Sequence, residues 1–173
     1  MDELASKGIP ARESLKKFLA KENHVAFAAR ALSKVGTKDD YIADLMGALK
    51  ARSPDDHRGT QGKTELVASL AETEDPRVIE ALLPYLDDHG DDVQCAVVDA
   101  LGRLWAKLSD NGAAITKLQG VITDDARSAR VVRHTAAAMQ RLALPIDATK
   151  PLAPAVAEDF LVKDGKLAPA HAQ

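Results

Sequence analysis

Residues 91 to 105, DDVQCAVVDALGRLW, set apolar and polar positions in a helical rather than a strand period. At about 100° per residue, Val93, Ala96, Val97, Ala100, Leu101 and Leu104 share one face, with Cys95, Val98 and Gly102 on the other. Asp91 or Asp92 is placed to cap the helix start. Just upstream, DPRVIEALLPYLDD repeats the period with Val78, Ile79, Leu82, Leu83 and Leu86 as its stripe. The intervening DDHGDD is short enough only for a turn, so the pattern predicts an antiparallel helical hairpin.

The unit recurs. Aligned on Ala100-Leu101, the second helices reappear at Ala31-Leu32, Ser69-Leu70 and Ala138-Met139, spaced 38, 31 and 38 residues apart. Each has an upstream partner: RESLKKFLAKE, DDYIADLMGALK and GAAITKLQGVIT. Four hairpins, at about 11–37, 38–73, 76–108 and 112–144, fill a domain spanning 1–144, with residues 1–10 as a flexible or partly helical lead. A single hairpin leaves its apolar faces half exposed, so neighbours must stack to bury them. The expected fold class is therefore all-α, an α-solenoid of about four antiparallel hairpins. Residues 145–173 read either as a cap, with a helix over PAVAEDFLVKD laying Val156, Phe160 and Leu161 on the open end, or as a loose tail.

Composition narrows the picture. Aromatics make up 3% of 173 residues against 46% hydrophobic, so the core must be Ala, Leu and Val, which suits closely packed helices. The net charge of −3 argues against nucleic acid as partner. One cysteine excludes an internal disulfide, and residues 1–20 lack the unbroken apolar run of a leader or membrane span. These features point to a cytoplasmic protein that does not engage a membrane.

The stretch LLPYLDDHGDDVQCAVVDALGRL resembles a HEAT-like repeat of the bacterial type: a leucine-rich first helix, an acidic turn, and a second helix of the form V-x-x-A-A-x-x-A-L-G-x-L, in which Val97 replaces the second alanine. The other hairpins depart further, with His24 and Gly62 at the valine position and His134 at the first alanine. The resemblance implies a solenoid whose second helices line a concave face, and a style of binding rather than a reaction.

On that face the resemblance gives the side opposite the apolar stripe a meaning. Cys95, Val98 and Gly102 align with Ala26, Ala29 and Ser33, with Thr64, Val67 and Ala71, and with Arg133, Ala136 and Gln140. This line of small residues reads either as the floor of a groove or as the product of helix crowding. Beside it, Lys34, Glu72, Arg103 and Arg141 share one aligned position, with Arg30, Lys63 and Arg133 nearby and Asp99 as an exception. These cations either form a basic binding stripe or pair with turn aspartates of neighbouring hairpins in a ladder. The candidate binding residues are thus Arg30, Lys34, Lys63, Cys95, Val98, Arg103, Arg133, Gln140 and Arg141.

Candidate chemistry is sparse. His24 and His134 stand in the first and fourth hairpins, too far apart to share an ion, and none of the five histidines is followed by glutamate as in HEAT-like di-iron hydroxylases. Asp55, Asp56 and His57, and Asp87, Asp88, His89, Asp91 and Asp92, read as capping turns rather than metal sites. Cys95 has no base or oxyanion donor in its sequence context, and Gly62-Lys63-Thr64 lacks the first glycine of a phosphate loop. Trp105 reads as packed at a repeat junction. The expected function is a non-enzymatic protein–protein interaction scaffold without cofactor or metal, holding an acidic protein segment on the concave face. The alternative is a lyase or hydroxylase of the HEAT-like bilin lyase or deoxyhypusine hydroxylase type.

Overall fold

In this computed structural model, which describes residues 2–108, 110–147 and 149–171, the helical period is realised in pairs. The first helices are α1 (Asp2–Leu19), α3 (Lys38–Lys50), α5 (Arg77–Leu82) and α8 (Gly112–Ile122). The second helices are α2 (Val25–Leu32), α4 (Thr60–Glu72), α6 (Asp91–Arg103) and α9 (Ala129–Arg141). A short α7 (Trp105–Leu108) links the third pair to the fourth, and α10 (Pro154–Ala157) precedes a hairpin of β1 (Phe160–Lys163) and β2 (Lys166–Pro169). The described residues are mostly helical, with one small two-stranded sheet.

Local chemistry sets the helix ends. Thr37 and Asp40 close a capping box on α3, and the side chains of Asn111 and Ser128 cap α8 and α9. Asp91 and Asp92 are not the cap of α6: Gly90 holds that position, and the two aspartates lie in the first turn, where negative charge favours the helix dipole. Pro84 has no amide hydrogen to continue α5, which gives way to a 3-10 turn over Leu83–Asp87. Helix α1 runs through Pro10, so the expected lead is helical from Asp2.

The second helices lie side by side in chain order, α4 between α2 and α6, and α6 between α4 and α9. Beneath them, α3 touches α1 and α5, and α8 packs on the 83–87 turn. Between the two layers run Val25, Leu32, Leu45, Leu66, Leu70, Leu82, Val97, Leu101, Ile122 and Met139, each almost without solvent exposure. Trp105 is half-buried against this core.

The hairpins are also stitched through their carbonyl ends, where a helix leaves backbone oxygens unpaired. Arg52 donates from Nη2 to Leu19 O at 2.6 Å, the Tyr85 hydroxyl donates to Leu49 O at 2.6 Å, and Arg127 donates from Nη1 to Leu86 O at 2.5 Å. In every case the donor comes from later in the chain than the helix or turn it closes. An amino-terminal end is satisfied likewise: the Glu22 carboxylate accepts from Gly62 N–H at the start of α4. A Cβ on Gly62 would lie 2.5 Å from Glu22 Oε2, so a larger residue there would push the Glu22 carboxylate off this amide.

The described residues after 144 do not form a continuous helix. Ala153 N–H donates to Ile122 O at 2.9 Å and Ile146 N–H to Gly165 O at 2.7 Å, tying the linker to α8 and to the hairpin turn. Asp164 and Gly165 both have positive φ, the conformation a two-residue hairpin turn needs. Beyond α10, then, the expected helix is a strand: β-branched and aromatic residues before an Asp-Gly turn override the helical period. Val156 is fully buried and Phe160 packs on the core, while Leu161 points outward and is 41% exposed.

Candidate interaction face

On α6 the outward residues are Asp92, Asp99 and Arg103, with Ala96 partly covered between them, a spacing that follows one helical stripe. The same register exposes Gln61, Ala68 and Glu72 on α4 around a half-buried Glu65. On α9 it exposes Arg130, Ala137 and Arg141 around a half-buried His134, and in the first pair Asn23, Phe27, Arg30 and Lys34.

The expected line is only partly outward: Ala26, Ser33 and Arg133 are exposed, whereas on α6 the outward line is rotated by one residue from the expected one. Cys95 and Val98 are buried, at 8% and 2% exposure, and so are Val67 and Ala136. The cause is geometric: a helix held between two neighbours and a lower layer is covered on three sides, so its apolar arc is wider than that of a single hairpin. Burial raises the Cys95 thiol above the usual cysteine range, despite the nearby Arg130. Thiol reagents are therefore expected to modify Cys95 slowly in the native protein and fast in denaturant, measured as label incorporated against time. Native labelling as fast as that of the unfolded chain would show the helix to be rotated back.

Lys63 also departs from its expected place, being fully buried rather than on an open stripe. Its ammonium donates to Asp88 Oδ2 at 2.6 Å, Asp56 O at 2.8 Å and Ser53 O at 3.0 Å, which uses all three of its protons. The other Asp88 oxygen accepts from Gly90 N–H at 2.9 Å, and Asp88 O accepts from the Gln94 amide at 2.7 Å. This network draws the 53–58 turn onto the 87–90 turn, so the His57 and His89 rings meet with centroids 3.6 Å apart. Among the described residues, no group of three or more His, Cys, Asp and Glu side chains converges as metal ligands would.

Charge on the outward line is patterned rather than uniformly basic. Arg30 and Lys34 stand at one end and Arg130 and Arg141 at the other, with Glu65, Glu72, Asp92 and Asp99 between them. Opposite charges pair across adjacent helices, Arg130 with Asp92 at 2.7 Å and Arg103 with Glu72 at 3.8 Å, and a His134 ring nitrogen lies 2.8 Å from the Asp99 carboxylate. Arg133 instead reaches the C-terminal segment, pairing with Glu158 and, at 3.5 Å, with Asp159. A second ladder of turn residues joins Arg77 to Asp39 at 2.6 Å, Lys117 to Asp87 at 2.9 Å, and Arg127 to Asp87. Ladder and stripe thus share members. Among the described residues, Arg30, Lys34 and Arg141 make no ion pair. Gln140, next to Arg141 on α9, is half-buried.

Two open depressions follow the line. One, of about 480 Å³, lies between α2 and α4 with Arg30, Ser33, Tyr41, Glu65, Ser69 and Glu72 on its walls. The other, of about 630 Å³, lies between α4 and the α6–α9 pair and is lined by Gln61, Glu65, Asp92, Ala96, Asp99 and His134. Glu65 borders both, so the two adjoin at that side chain as a trough divided in the middle. A third hollow, of about 460 Å³ and largely apolar, is lined by α3, the 53–54 turn, Ala81, Pro84 and Tyr85. No helix in the described residues is long and apolar enough to cross a membrane. No family model, no curated protein and no solved structure matches the chain.

Proposed function

We propose that this chain is a HEAT-like α-solenoid and a cytoplasmic, non-enzymatic scaffold that holds a segment of another protein along the second helices. The observation that carries the reading is the pair of depressions that meet at Glu65, on an outward line that carries Arg30 and Lys34 at its α2 end and Arg141 at its α9 end, none of the three in an ion pair among the described residues. A bound segment meets these ends with acidic groups and the acidic middle, around Glu65 and Asp99, with basic or hydrogen-bonding ones. Phe27, 63% exposed on the same line, offers an apolar anchor at the α2 end. Charge at such a rim acts chiefly on encounter rate and selectivity, so binding should weaken with salt.

The test places a photo-crosslinking residue at Ala68 or Ala137 on the line, or at Ala43 on α3 as a control, and compares the adducts formed in cells. The expected result is one shared adduct from the two line positions and none from Ala43. It should be lost in the Arg30→Glu, Arg141→Glu double variant, which stays folded because both side chains are exposed. An adduct from Ala43 alone, or one indifferent to the charge reversal, would sink the reading.

A further inference from the structure

The C-terminal hairpin presents an open strand edge. Strands β1 and β2 pair antiparallel, Phe160 opposite Pro169, Leu161 opposite Ala168, and Val162 opposite Leu167. Ala170 N–H donates to Asp159 O at 2.8 Å, which makes that pair a hydrogen-bonded one. Antiparallel pairs alternate, so Phe160 and Val162 fall in the non-bonded positions and turn their own N–H and C=O groups away from β2. Pro169 fits this register, since its missing N–H would otherwise break the ladder. On the outer edge of β2 the same proline removes a donor, so that edge is blunted. On β1 the outer groups are intact, and none of the turn, loop and cap hydrogen bonds among the described residues takes them up.

What lies on that edge matches itself. We infer that β1 pairs with the β1 of a second copy of this chain, antiparallel about a two-fold axis through Leu161. Phe160 of each chain then faces Val162 of the other, and their outward groups form two reciprocal hydrogen-bonded pairs. Leu161 meets its own symmetry mate in the non-bonded position between them, where Cα atoms stand about 4.5 Å apart. That covers one of the two large apolar side chains the described residues leave exposed, the other being Phe27 on a different element. The same register sets Lys163 opposite Asp159 of the second copy, a cross-strand pair of opposite charge made twice. A two-fold contact must be self-complementary, and this edge satisfies the requirement in hydrogen bonds, apolar surface and charge together. The result is a four-stranded sheet joining two chains at their C-terminal ends. It is independent of what the trough binds.

The area involved is small, so the dimer should form at high micromolar concentration and dissociate on dilution. Sedimentation across a concentration series is expected to show this equilibrium for the unmodified chain. Leu161→Lys, which puts two ammonium groups on the axis, should leave a monomer with an unchanged melt, because the side chain is exposed. Lys163→Asp should weaken the dimer and the added Asp159→Lys should restore it. In a Cys95→Ala background, Leu161→Cys should close an intermolecular disulfide under mild oxidant, since the spacing across the axis lies within disulfide reach. A chain that stays monomeric throughout the series overturns the inference, as does a dimer that survives Leu161→Lys.

Discussion

Asp88→Ala is expected to cost the fold about 3–5 kcal/mol, the usual penalty for leaving a buried charge without its partner. Lys63 and Asp88 are 0% and 1% exposed at their side chains, so water cannot take over the lost contact. The two carbonyls that remain, Ser53 O and Asp56 O, orient the ammonium without neutralising it. Nor is the loss confined to the pair, because Asp88 also holds the Gly90 amide that starts α6. For a chain of this size each kcal/mol moves the melting temperature by roughly 2–4 °C, so the variant should melt about 10 °C lower. Replacing both partners, Lys63→Met with Asp88→Leu, should lose less, because the pair's attraction and its desolvation cost disappear together and only the Ser53 and Asp56 carbonyls and the Gly90 amide lose their partners. Thermal unfolding of the three proteins settles it: a melt of Asp88→Ala within a degree or two of the parent would show that the ion pair is not buried in solution.

This pair also shows where sequence reading stops. Periodicity places the hairpins because Val78, Leu82, Val93, Val97 and Leu101 repeat with the chemistry of a core, and those residues are buried. Lys63 reads as exposed because lysine is rarely buried. Yet the 38- and 31-residue spacing aligns Lys63 with Val25, Gln94 and Val132, all inside positions. Read as a position in the repeat rather than as a charge, Lys63 falls in the core. The acid and the two carbonyls that receive it, and Gln94's partners, come from turns, whose fold no period reports. The shift of the outward line from Cys95 and Val98 to Ala96 and Asp99 has a similar origin. The helical period of apolar residues locates the centre of a buried arc, but the arc's edges depend on how many neighbours a helix has. The β-hairpin is legible in principle: Asp164-Gly165 between FLVK and KLAP is a turn signal that the helical reading of PAVAEDFLVKD passes over.

Arg127→Ala is expected to destabilise the chain by about 2–3 kcal/mol, the scale of losing hydrogen bonds that involve a charged, mostly buried donor. The guanidinium is 18% exposed and serves four acceptors: Asp124 at 3.1 Å, Leu86 O at 2.5 Å, Gln94 Oε1 at 2.8 Å, and Asp87. Three of the four belong to the third hairpin, so one side chain binds the fourth hairpin's turn to its neighbour. Arg127→Lys should recover little, since an ammonium on a flexible stem cannot reproduce the fork that reaches a backbone carbonyl, an amide and two carboxylates at once. Arg77 supplies the control. It makes an inter-hairpin bridge of the same kind, to Asp39 at 2.6 Å, but with its side chain 58% exposed, and Arg77→Ala should barely move the unfolding midpoint. Urea unfolding also reports how the loss is distributed. The fourth hairpin meets the third mainly through α9 on α6 and α8 on the 83–87 turn, and Arg127 reinforces the second of these contacts. If the pairs unfold as coupled units, weakening one junction lets the last pair open before the rest, and the transition broadens as its midpoint falls. Equal midpoints for Arg127→Ala and Arg77→Ala would show that burial of the guanidinium does not set its contribution.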